Sequence, residues 1–177
     1  MTPTGQERLL GHDDIIVSKT DLKGHITYAN RTFLSIADYE EEEVLGKPHN
    51  LIRHPDMPRT IFHLLWEEIR AGREIFAYVK NLCKNGDHYW VFAHVTPTFD
   101  ANRQIVGYHS NRRAPDRPAI EAIDRLYARL RQAELSAPRP KEQLVRGRAE
   151  LDAFLQQEGL SYEQLCFALA GQREMAA

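Results

Sequence analysis

The sequence predicts an α+β fold: a five-stranded antiparallel sheet, helices inserted after the second strand, and further helices at the C-terminus. Three observations carry this reading. Residues 88–96 alternate, with Tyr89, Val91, Ala93 and Val95 on one side and Trp90, Phe92 and His94 on the other, the period-two pattern of a strand. Turn clusters at 21–24, 84–87 and 100–103 separate short apolar runs, which reads as successive hairpins. Between the first and second of these clusters Ile61, Leu64, Leu65 and Ile69 fall at helical spacing.

The elements follow in order. Residues 1–14 are an N-terminal cap segment. Ile15, Ile16, Val17 and Ser18 make a short strand, Gly24 serves the turn by taking positive φ, and residues 25–30 return. Phe33, Leu34 and Ile36 begin a short helical patch. The acidic run 40–43 suits a helix first turn, where the dipole favours carboxylates, and Gly46 suits its end. The helix around Ile61 ends at Gly72. Residues 75–84 alternate as a strand, and Asn85-Gly86 predicts a type I′ hairpin turn into 88–96. Residues 105–111 are the last strand and 112–118 a linker. Ile120, Ile123, Tyr127 and Leu130 mark a helix over 119–134, broken at 136–140. Two more helices, 141–157 and 161–170, flank Gly159, and Ser161 with Gln164 forms a capping-box pattern. The expected domains are 15–113, a sensor domain, and 114–177, a helical extension for signalling or interaction.

Composition narrows the function classes. Of 177 residues 42% are hydrophobic, enough for a core, and the formal charge of −2 gives no global basic field to draw nucleic acid. Cys83 and Cys166 stand far apart with no C-x-x-C pair, which favours free thiols in a reducing compartment. The first residues have no apolar signal-peptide core, and no run approaches the ~18–20 apolar residues of a membrane span. A cytoplasmic protein is expected. There is no H-E-x-x-H, no G-x-S-x-G and no P-loop, so hydrolase, zinc and nucleotide-cradling chemistries have no support.

The most informative stretch is residues 50–58, Asn-Leu-Ile-Arg-His-Pro-Asp-Met-Pro, where Arg53, His54 and Asp56 crowd together and Pro55 and Pro58 stiffen the backbone. A segment this polar and constrained is not built for packing alone. The opening from Asp21 to Phe33, and Tyr39 followed by Val44-Leu45-Gly46-Lys47-Pro48, look like a PAS domain. The strings His49 to Pro58 and Val79 to Val91 are more specific. They resemble the PAS domain of bacterial aerotaxis receptors, a subtype that carries FAD noncovalently and reports redox state. The resemblance covers about residues 15–113 and not the C-terminal third.

The resemblance implies a cofactor site at Asn30, His49, Arg53, His54, Asp56, Trp66, Asn81 and Tyr89. Arg53 offers a planar fork to phosphate, or a salt bridge to Asp56. His54 contacts flavin or caps the next helix, and His49 points into the cleft or stays in an exposed loop. Asp56 orders the loop or lies beside the ligand. Trp66 stacks near the cofactor or packs in the core. Asn81, uncommon in a strand, offers a donor and an acceptor to a flavin edge. Asn30 caps a turn or touches the cofactor, and Tyr89 walls the cleft. Photoactive LOV domains carry their adduct cysteine in the region comparable to 49–54, which has none here. Haem, through His49, His54 or His63, is the alternative cofactor. The expected function is an FAD-dependent redox or oxygen sensor, not an enzyme. It would signal through flanking helices to a chemoreceptor-like or other transducer partner, with a homodimer as the expected assembly. A cofactor-free dimerisation module is the other reading.

Overall fold

The computed structural model describes residues 2–171, so the last six residues of the expected C-terminal extension, and Met1 of the cap segment, lie outside the described residues. The chain divides into two compact units. One holds residues 1–54 and 67–114, and the other holds residues 55–66 and 115–177. The first unit ends at residue 114. The allocation of 55–66 to the C-terminal unit has no counterpart in the sequence reading.

The first unit is the sheet. Strands β1 (Ile16–Thr20), β2 (Ile26–Ala29), β3 (Ile75–Leu82), β4 (His88–Phe99) and β5 (Ile105–Arg113) order as β2-β1-β5-β4-β3, all antiparallel. Register fixes the faces: Asn81 opposes Tyr89, Ala93 opposes Arg112, Val95 opposes Ser110 and Ser18 opposes Ser110. Side chains alternate along each strand. The first face therefore carries Ser18, Asn81, Tyr89, Val91, Ala93, Val95, Ser110 and Arg112. The second carries Phe76, Tyr78, Trp90, Phe92 and His94, with Phe76 stacked on His94 at 4.2 Å. This is the alternation expected for 88–95.

After β2 come α1 (Arg31–Ala37), α2 (Glu41–Val44), a 3-10 turn (His49–Ile52) and α3 (Arg59–Arg70). The acidic run does start a helix: Glu40 and Glu43 form a reciprocal capping box at the head of α2. The turn at 84–87 is not type I′, which needs two residues at positive φ. Gly86 alone has it, at +95°. Gly86 N–H donates to Cys83 O at 3.0 Å and Cys83 N–H to Asp87 O at 2.7 Å, the three-residue loop with a bulge glycine. The Asn85 side chain accepts from Asp87 N–H at 3.0 Å, so Asn85 acts through its amide, not through a left-handed backbone. The N-terminal segment runs beside this turn. His88 N–H donates to Gln6 O at 2.9 Å, Arg8 N–H to His88 O at 2.7 Å, and Thr4 Oγ1 to Asp87 at 2.7 Å.

The predicted linker at 112–118 begins too early. β5 continues to Arg113, and Arg112 is a buried strand residue.

The second unit contains α4 (Arg117–Leu135), α5 (Pro140–Glu158) and α6 (Tyr162–Ala170), with Ile120, Ile123, Tyr127 and Leu130 of α4 all buried. The capping box of Ser161 and Gln164 opens α6. A buried carboxylate ties residues 55–66 into this unit. Glu134, at the end of α4, accepts from Thr60 N–H at 2.8 Å, Thr60 Oγ1 at 2.7 Å and Arg59 N–H at 3.1 Å. It satisfies the free N–H groups at the head of α3 from another helix. Gly147 of α5 admits this pair, because a Cβ there would overlap Thr60 Oγ1 and stand 2.9 Å from Glu134 Cγ. Arg131 adds an ion pair to Asp56 at 2.6 Å.

Candidate functional site

The site grows from the edge of the sheet. Residues 46–49 lie along β2: Ile26 N–H donates to Lys47 O at 2.8 Å, Gly46 N–H to Ile26 O at 2.8 Å and His49 N–H to Gly24 O at 2.9 Å. These bonds hold His49 at the start of the 3-10 turn. There Arg112 Nη2 donates to His49 Nε2 at 2.7 Å and to Ser18 Oγ at 2.6 Å. The Phe33 ring meets the His49 ring edge-on at 6.1 Å and lies 5.7 Å from the Arg112 guanidinium carbon. Burial, reinforced by the Arg112 guanidinium, pushes His49 down to about 3. At neutral pH His49 is therefore uncharged, and because Arg112 Nη2 can only donate, Nε2 is the bare, accepting nitrogen. Burial lowers Arg112 to about 10, against the pull of Tyr89, so Arg112 stays charged at neutral pH.

Farther along the same face, Asn81 and Tyr89 sit opposite each other, both buried. Burial first, opposed by the Arg112 charge and the Asn81 amide, pushes the Tyr89 phenol up. The Asn81 Nδ2, Tyr89 hydroxyl, Ser110 Oγ and Arg112 Nη1 atoms are buried and make no hydrogen bond of good geometry within the protein. Each such group forfeits on the order of 1–3 kcal/mol unless something accepts or donates to it. All four stand on one face of the sheet, which suits a planar guest with polar edges.

The structure brings the other predicted residues together in part. Arg53 follows the 3-10 turn and its backbone bridges that of Asn81, so the polar nonapeptide is pinned to the end of β3. His54 is buried, its ring edge-on to His88 at 5.6 Å. Asn30 is a structural cap: its Oδ1 accepts from Phe33 N–H and Val17 N–H, each at 3.0 Å, and its Nδ2 donates to Ile15 O at 2.8 Å. Of its two expected roles, capping is the one the geometry displays. Asp56 is paired with Arg131 within the second unit, and Trp66 is half-buried on α3 in that unit. His63 is exposed on α3. Cys83 Sγ donates to Ile36 O at 3.2 Å, and burial pushes its thiol up to about 11, which describes a packed, unreactive sulfur.

Sequence reasoning missed Ser18, Ser110 and Arg112. For Ser110 and Arg112 the signal was the alternation of 105–111 carried one residue further, which turns Arg112 to the same side as Ser110. Among the described residues no cluster of His, Cys, Asp and Glu is placed to hold a metal ion, and no helix is long and apolar enough to cross a membrane.

Comparison with known proteins agrees with the fold. The PAS fold family profile matches residues 26–112. The aerotaxis receptor of Escherichia coli (strain K12) is 39% identical over 143 residues, 81% of this chain and 28% of that receptor. The biofilm dispersion protein BdlA of Pseudomonas aeruginosa is 29% identical over 87 residues, 49% of this chain and 21% of that protein. The chain thus spans about a quarter of the length of these curated relatives. Among solved structures, a light-oxygen-voltage domain studied with a flavin analogue superposes with a TM-score of 0.57 at 19% identity, covering 61% of this chain and 82% of that one. The light-state LOV domain of the photoreceptor Aureochrome1 superposes at 0.56 and 20% identity, covering 64% and 88%. At these identities the two structures speak to the fold.

Proposed function

Because this chain is a PAS-family protein, its family match falling on residues 26–112, we propose that it is a redox or oxygen sensor that binds FAD noncovalently on the first face of its sheet. The observation that carries the reading is the set of four buried polar atoms, on Asn81, Tyr89, Ser110 and Arg112, that the protein itself leaves unmatched. An isoalloxazine edge presents N–H and C=O groups together, and an amide, two hydroxyls and a guanidinium are the complements of such an edge. Bound there, the flavin would supply a reversible electron store.

The chain's own residues hold and orient it. Asn81 reads the ring edge with donor and acceptor. Arg53, next to the 3-10 turn, offers its fork to the pyrophosphate, and His54 and His49 complete the polar wall. Asn30 and Asp56 support the site indirectly, by capping α1 and by ordering the loop after His54. The lack of a cysteine at 49–54 and the packed state of Cys83 argue against cysteinyl photochemistry. Haem is disfavoured at His49, whose Nε2 already accepts from Arg112. The identity to an aerotaxis receptor over most of the chain supports an energy-taxis role and output to a partner protein, with a homodimer as the working assembly.

Only a ligand state that interacts differently with two conformers shifts their balance. The visible spectrum of freshly purified protein, before and after dithionite, tests the proposal. Bands near ~370 and ~450 nm that bleach on reduction, with FAD identified by chromatography after release, are the expected result. A single intense Soret band, or a protein that stays colourless after incubation with FAD, would overturn it.

A further inference from the structure

Arg112 is 4% exposed, yet none of its partners is an anion. Its Nη2 bonds go to Ser18 Oγ and to His49 Nε2, its guanidinium faces the Phe33 ring, and its Nη1 is unmatched. The groups that face it from each element are Ser18 on β1, Tyr89 on β4, His49 at the 3-10 turn and Phe33 on α1. The titratable ones among them, His49 and Tyr89, are both neutral at pH 7. A buried cation without a carboxylate is a costly arrangement. The more exposed Arg8 and Arg73, by contrast, do pair with carboxylates, Arg8 with Asp87 at 3.2 Å and Arg73 with Glu68.

We propose that the Arg112 guanidinium is the anion-receiving group of the ligand face, kept unpaired by the protein so that its Nη1 matches negative charge on the bound guest. This rests on the flavin reading above and extends it. One electron delivered without a proton, or two electrons with one proton, leaves a single negative charge on the ring, and the reductant supplies the electrons. Arg112, meeting the ring directly, favours that charged form over the neutral oxidised one, and His49 is the positioning residue. His49 keeps the guanidinium aimed by accepting from Nη2, and its neutrality leaves the full positive charge to the guest.

The test uses the whole chain as wild type, Arg112→Lys, Arg112→Met and Arg112→Gln, loaded with FAD and titrated anaerobically with dithionite. The readouts are the midpoint potential and the melting temperature of each apoprotein. The expected result for Arg112→Met is a loss of ~10-fold or more in preference for the reduced over the oxidised ring, a fall of about 59 mV for a one-electron couple. Arg112→Lys is expected to retain most of that preference. The apo form of Arg112→Met is expected to melt no lower than wild type, since a desolvated charge has been removed. If Arg112→Met does not fold, Arg112→Gln, of similar shape and no charge, gives the same comparison. Loaded variants with the wild-type potential would overturn this assignment alone. A wild-type chain that takes up no flavin would overturn the parent reading and this one with it.

Discussion

Replacing Glu134 by alanine removes the acceptor that the head of α3 depends on. The carboxylate is 5% exposed and receives three hydrogen bonds, two of them, from Thr60, wholly buried. A hydrogen bond to a charged group is worth ~1.5–3 kcal/mol and loss of a helix cap about 1 kcal/mol, and these overlap because the cap is made of the same bonds. Two buried bonds at the low end give a destabilisation of ~3 kcal/mol, tempered by the charge no longer held out of water. For a chain of this length that is a fall in melting temperature of roughly 6–12 °C. Glu134→Gln keeps one carbonyl acceptor and is expected to lose about half as much. Pairing Glu134→Ala with Thr60→Val removes the orphaned hydroxyl, and the double variant is expected to recover ~1 kcal/mol over the sum of the singles. The assay is urea unfolding followed by helical circular dichroism, with amide exchange at Arg59 and Thr60 as the local readout. A Glu134→Ala protein within ~0.5 kcal/mol of wild type, with unchanged protection at both amides, would refute the idea that this carboxylate anchors α3.

Other outcomes follow from the same structure. Gly107→Ala places a Cβ against Thr20 O, a backbone atom that cannot move aside, so the β1–β5 pairing should be weakened and the melting temperature should fall sharply; an unchanged melt would discount the contact. Asn30→Ala strips the cap of α1 and the ties to Ile15 and Val17, with an expected loss of about 2 kcal/mol by denaturant titration. His49 has a folded pKa of about 3, below its unfolded value near 6.5. The unfolded chain therefore binds the extra proton between those values. Its contribution is whole above pH 6.5 and declines as pH falls toward 3, with a slope of at most ~1.4 kcal/mol per pH unit. A His49→Gln variant should lose this component of the pH–stability curve, and parallel curves for the two proteins would count against it. Arg53→Ala and Asn81→Ala should reduce flavin content or abolish its spectral response, and fully loaded, normally responding variants would remove those residues from the site.

Much of the fold was legible because it is written in local patterns. Alternation along 88–95 placed both faces of β4, turn clusters placed the hairpins, and Ser161 with Gln164 announced α6. What escaped depends on partners far away in sequence. Asn85-Gly86 is compatible with two turn types, and the choice was made by the side chain of Asn85 capping Asp87 and by the bulge at Gly86. Arg112 reads as the start of a charged linker. Only the register against Ala93 and Ile16 turns it inward, toward Ser18, 94 positions away. Glu134 looks like an ordinary helix-end residue until Thr60, 74 positions back, is placed beside it. Within the polar nonapeptide, composition could not separate Arg53, laid against Asn81, from Asp56, held by Arg131.

The allegiance of residues 55–66 bears on how this sheet can be recombined. A splice just after the sheet, at residue 114, would look natural on a domain map, since all five strands lie before it. Such a cassette would carry Thr60 away from Glu134 and Asp56 away from Arg131, leaving the first turn of α3 with unanswered donors immediately downstream of the polar loop. A fusion protein that borrows this sheet would have to import the trailing helices with it, or furnish a new acceptor where Glu134 stood.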